Sequence, residues 1–143
     1  MDGTFNSELF DLLRDANVRY QPISRNERWR HQQRWRECYC AQVKARTDKW
    51  RCGRFDWNTF DLGFARCWLD TKALHAYFEC SAEDFLIVPD GNEGYALRCS
   101  GAVLPDPSPI HAEFYVFPAS LEWTVVFTHE GPVFSKREWL SPQ

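Results

Sequence analysis

Apolar residues recur at helical spacing through residues 7–17, where Leu9, Phe10, Leu12, Leu13 and Ala16 share one stripe and charged residues fill the opposite face. Ser7 suits the start of this helix and Asn17 its exit. Past Gln21-Pro22, the run Ser24-Arg25-Asn26-Glu27 forms a capping box, in which hydroxyl and carboxylate satisfy each other's backbone donors. A long helix is therefore predicted to run to about Arg46. Its core stripe is Trp35, Cys38, Tyr39 and Val43, while Arg25, Arg28, Arg30, Arg34 and Arg36 occupy much of the remainder. Residues 50–60 are aromatic without a helical stripe and read as a loop or an irregular strand. Asp70 or Thr71 is placed to cap a third helix through Phe78, burying Ala73, Leu74, Tyr77 and Phe78.

Beyond residue 80 the period shifts from 3.6 toward two. Residues 85–88 and 95–99 read as a hairpin, with Gly91, Asn92 and Gly94 supplying the left-handed positions a tight reversal needs. Pro105, Pro107 and Pro109 mark an extended connection, and residues 113–117 and 123–128 are two further strands. Helices first and strands after predict an α+β fold, with N-terminal helices packed on one face of a C-terminal four-stranded antiparallel sheet. The expectation is a single domain over residues 1–143, a length able to bury about two thirds of its surface without a metal or partner.

No apolar run approaches the ~18 residues of a bilayer span, so no membrane partner is expected. The first residues lack both a basic start and an apolar stretch, which reads as a cytoplasmic location without a secretory signal. The net charge of −3 conceals a split: residues 1–60 hold 12 basic and 8 acidic groups, and residues 61–143 hold 5 and 12. Halves of +4 and −7 fit two parts that attract on folding better than a face for nucleic acid, which the acidic half would repel. The six cysteines read as buried thiols rather than disulfides. Cys38 and Cys40 point about 200° apart on a helix, no C-x-x-C or H-E-x-x-H occurs, and neither metal nor cofactor is expected.

The most conspicuous polar group is Thr128-His129-Glu130, followed by Gly131-Pro132 after the most hydrophobic strand. A His beside a Glu has the makings of a base with an orienting carboxylate, and equally of a sheet margin closed by hydrogen bonds. No nucleophile accompanies it, so no catalytic residue is assigned. Cys52, between Arg51 and Arg54, is the best-placed thiol for nucleophilic chemistry, against the simpler reading of a buried structural thiol. Interleaved Trp29, Arg30, Arg34, Trp35, Arg36, Trp50, Arg51, Arg54 and Trp57 are of the types enriched in protein hot spots, and also of the types that stack bases, against the simpler reading of core tryptophans and a solvated arginine face. Phosphate-cradling loops and nucleophile elbows are absent.

The runs Phe114-Tyr115-Val116-Phe117-Pro118 and Trp123-Thr124-Val125-Val126-Phe127-Thr128-His129-Glu130, followed by Gly131-Pro132-Val133-Phe134, resemble small uncharacterised bacterial proteins with a W-T-x-x-x-T-H-E segment and G-P-x-F after it. The upstream aromatic block of those proteins is partly matched by Phe55-x-Trp57-x-x-Phe60, although Asn58 and Asp61 stand where a His and a Ser are common. The resemblance implies a bacterial α+β domain and carries no activity. The expectation that follows is a small cytosolic accessory protein that binds another protein, of immunity type (toxin-neutralising), through Trp29, Arg30, Arg34, Trp50, Arg51, Arg54, Thr128, His129 and Glu130. The alternatives are a hydrolase-like enzyme centred on His129 and Glu130, and a nucleic-acid-binding module using the Arg/Trp-rich helix.

Overall fold

The computed structural model describes residues 3–91 and 94–140. In chain order its elements are α1 (Gly3–Asp15), β1 (Arg19–Pro22), α2 (Arg25–Tyr39), α3 (Ala41–Thr47), α4 (Asn58–Asp61), β2 (Trp68–Leu69), α5 (Asp70–Phe78), β3 (Phe85–Pro89), β4 (Leu97–Ser100), β5 (Phe114–Phe117), β6 (Trp123–Thr128), β7 (Gly131–Lys136) and a closing 3₁₀ turn (Arg137–Leu140). The strands form one seven-stranded sheet in the order β1-β4-β3-β5-β6-β7-β2, antiparallel throughout.

This overturns the expected four-stranded sheet with N-terminal helices on one face. The helices cover both faces, and α5 lies in the chain between β2 and β3. On one face Leu9 and Leu13 of α1 and Ala73 and Tyr77 of α5 pack with Phe85, Ile87, Phe114, Val116, Val125 and Phe134. On the other, Trp35 and Tyr39 of α2, Val43 of α3 and Phe60 of α4 pack with Leu86, Val88, Tyr115, Phe117 and Val126. Successive strand side chains point to opposite faces, so a strand buried twice needs an unbroken apolar run, as in Phe85-Leu86-Ile87-Val88. The three added strands carry weak signals. β1 is mostly exposed, β2 has two residues, and β7 opens on Gly131-Pro132, a pair that reads as a turn.

Locally, Ser24 caps the helix: the Glu27 amide donates to Ser24 Oγ at 3.1 Å, the serine half of the capping box. The helix it starts breaks at Cys40 (φ −107°, ψ 15°), giving α2 and α3 in place of one continuous helix. Asn17, at φ 60°, ends α1 as its residue type implies. Gly91 and Gly94 have positive φ at the β3–β4 reversal, while Asn92, expected to join them, lies outside the described residues. α5 starts without a side-chain cap, with Asp70 itself at φ 55°, and Phe78 is 44% exposed instead of buried.

Helix α2 is fastened in place by buried polar groups that find their partners within the protein. Trp35 Nε1 donates to Thr124 Oγ1 at 2.9 Å, Thr124 Oγ1 donates onward to the Val116 carbonyl at 3.2 Å, and the Tyr39 hydroxyl donates to the Leu121 carbonyl at 2.9 Å. Among the described residues no helix is long and apolar enough to cross a membrane. All six cysteines are free thiols.

Candidate functional site

β6 and β7 are adjacent antiparallel strands, and Thr128 pairs with Gly131, so His129 and Glu130 form the two-residue turn between them. Thr128 closes this corner: its hydroxyl donates to the Gly131 carbonyl at 2.9 Å and accepts from the Glu130 amide at 3.0 Å. Gly131 sits at φ 116°, where any other residue is strained, and a Cβ there would also come within 2.6 Å of Asp70 Oδ1 and displace that side chain. The corner thus stands at the end of the sheet, with His129 61% exposed.

The carboxylate that orients His129 is Glu113, which sequence reading did not single out. The β5–β6 register pairs Phe114 with Phe127, which brings the residue before β5 alongside the turn. Glu113 Oε2 lies 2.5 Å from His129 Nδ1 and accepts the His129 backbone amide at 2.9 Å, while Trp57 Nε1 donates to Glu113 Oε1 at 3.2 Å. Glu130 stands farther away, its Oε2 3.7 Å from His129 Nε2. Hydrogen bonding to Glu113 raises the His129 pKa above its ordinary value, against slight desolvation and with help from the charges of Glu113, Glu130 and Asp61. For Glu113, burial opposes ionisation, but the His129 amide and ring and the Trp57 indole together hold its carboxyl below the ordinary value.

Aromatic rings brace this pair. Phe55 and Trp57 stack at 5.3 Å between centroids, and the imidazole meets both edgewise, at 6.3 and 5.6 Å. The Arg54 guanidinium lies over the Phe55 ring at 5.5 Å. Beside them opens a cleft of about 630 Å³, with apolar walls from Phe55, Ile110, Phe127 and Pro132, and polar groups from His111, Glu113 and His129. Ser108 also lines it, with its hydroxyl bonded to the Asp106 carboxylate.

The nine residues expected to bind a partner are only partly brought together. Thr128 and His129 line the cleft, Glu130 shares their turn, and Arg54 reaches the cleft wall through the Phe55 ring. Trp29, 59% exposed, and exposed Arg30 and Arg34 lie on α2, and among the described residues no ring or polar contact joins them to the cleft. Half-buried Trp50 takes the Lys44 ammonium over its ring at 5.7 Å. Arg51 donates to Asp56 at 2.9 Å. The basic surface expected of α2 is partly spent inside the molecule: Arg28 donates to the carbonyls of Pro89, Gly91 and Gly94, and Arg36 grips both oxygens of Asp56 at 3.2 and 3.1 Å. Burial raises the Cys52 thiol pKa, the reverse of what a nucleophilic thiolate requires. Among the described residues no group of three or more His, Cys, Asp and Glu converges to hold a metal ion.

Phe55 was visible only in an aromatic cluster, and Trp57 in that cluster and in the Trp/Arg interleaving. Glu113 carried one signal, its place directly before an apolar strand, and that becomes a site only once the pairing register is known. No family model matches the chain, and neither a curated protein nor a solved structure matches it.

Proposed function

We propose that this chain is a small cytoplasmic binding protein that receives a segment of another protein in the Glu113–His129 cleft. The supporting observation is an exposed imidazole held by Glu113, itself bonded by Trp57, at the edge of a cleft with both apolar and polar walls. A few fixed polar groups over apolar walls is the general form of a recognition site, and the aromatic and arginine side chains at its rim are of the kind that dominate interface energies. Six free thiols fit a reducing compartment. Neutralisation of a toxin is the narrower form of the same proposal.

The test places a photo-crosslinking amino acid at position 55 and, separately, at position 29. A discrete protein adduct from position 55 that is lost on adding His129→Ala supports the reading. Adducts from position 29 alone move the interface to α2 and overturn it.

A second reading rests on one observation: with Nδ1 engaged by Glu113, Nε2 is the nitrogen left for acid–base work, the arrangement of a hydrolase. Its check is turnover of activated ester substrates that disappears in His129→Ala; turnover that persists in that variant rejects it.

A further inference from the structure

A second cavity, of about 200 Å³, opens beside α2, walled by the rings of Trp35, Tyr115 and Phe117. Its polar lining holds two guanidiniums, Arg36 and Arg51, and two carboxylates, Asp56 and Asp90. Their pairing is unequal. Asp56 receives Nε and Nη2 of Arg36 and Nε of Arg51, at 3.2, 3.1 and 2.9 Å, which fills most of its accepting capacity. The outer nitrogens of Arg51 have no partner among the described residues, and Arg51 is half exposed. Asp90 is half buried, and among the described residues it forms no ion pair. Arg28, whose charge acts on Asp90, donates its own hydrogen bonds to the carbonyls of the β3–β4 reversal.

Asp90 stands beside Tyr115 in the cavity lining. The Tyr115 hydroxyl accepts the Trp57 amide at 3.2 Å. Burial raises the Asp90 pKa and the nearby Tyr115 hydroxyl offsets part of the effect. Asp90, in no direct ion pair among the described residues, and the outer edge of Arg51, which acts on it through space, therefore share one cavity.

We infer that this cavity binds a small zwitterion of the α-amino-acid class, its ammonium on Asp90 and its carboxylate on Arg51. Size favours a small ligand, because 200 Å³ falls below the roughly 300–1,000 Å³ that drug-sized molecules and most cofactors fill. Charge decides against a bare cation or anion, because two guanidiniums and two carboxylates leave the lining formally neutral. Arg51 acts here through its planar fork, which suits a carboxylate better than an ammonium donor would.

The test is isothermal titration calorimetry of the full chain at pH 7.5 with the individual free amino acids. For any amino acid that binds, the titration is repeated with its N-acetyl form, which lacks the ammonium, and with its amide, which lacks the carboxylate. The expected result is saturable binding of at least one amino acid, weakened about tenfold or more by either modification and by either Asp90→Asn or Arg51→Gln. Arg51→Gln changes a half-exposed side chain, so it keeps the test decisive if Asp90→Asn fails to fold. Absence of binding across the panel, or binding indifferent to the ammonium, the carboxylate or Arg51→Gln, overturns the inference.

Discussion

Two carboxylates flank His129, and their distances separate their roles: 2.5 Å for Glu113 and 3.7 Å for Glu130. Interaction with Glu113 ties protonation of His129 to folding, because its folded-state pKa lies above the unfolded value. That contribution is fully present below the ordinary histidine value and is lost as pH rises through the raised value. Glu113 has the opposite sign: its pKa is depressed in the folded state, so its contribution is present above the ordinary carboxylate value and lost as pH falls through the depressed one. The melting-temperature difference between the parent chain and His129→Ala is therefore largest between those limits, and it shrinks toward alkaline pH and again in strong acid. A difference that grows with pH above the histidine range rejects the pairing. Gly131→Ala is a second residue-scale case. A Cβ would sit 2.6 Å from Asp70 Oδ1 at a φ of 116°, so denaturant melts should show a loss of about 1–3 kcal/mol.

At the scale of elements, what was legible in the sequence was local. The Ser24–Glu27 cap and the Asn17 exit each depend on contacts within a few residues, and both are present. The break between α2 and α3 was not legible, because Cys40 carries no helix-stop signal. Neither were β1, β2 and β7, which are specified by pairing with distant strands rather than by their own composition. The union of α2 with the sheet rests on the buried Trp35–Thr124 hydrogen bond. Thr124→Val keeps the side-chain shape but leaves the indole N–H and its surroundings without that acceptor. The expected cost is about 1–3 kcal/mol by chemical denaturation, well beyond the few tenths typical of a surface substitution. Trp57→Phe keeps the stack on Phe55 while removing a donor from Glu113, so stability should fall by about 1 kcal/mol and the Glu113 pKa should rise toward its ordinary value.

In the whole molecule, the site exists because one sheet is covered on both faces. The layer containing α2, α3 and α4 brings the Phe55–Trp57 segment onto the end of the β5–β6–β7 unit, where Glu113 and His129 meet. Reading Thr128-His129-Glu130 as the polar corner of the sheet located one edge of the site. Its other members come from residues 55–57 and from residue 113, and no spacing in the chain relates the three stretches. The apolar run 85–88 held the clue to the second helical layer, since a strand with one wet face would alternate. The most direct measurement is an NMR pH titration of the His129 imidazole in the parent chain, Glu113→Gln and Glu130→Gln. The account predicts a pKa above the ordinary histidine value in the parent, a return toward that value in Glu113→Gln and a smaller change in Glu130→Gln. An unshifted parent value, or a larger effect from Glu130→Gln, would contradict it.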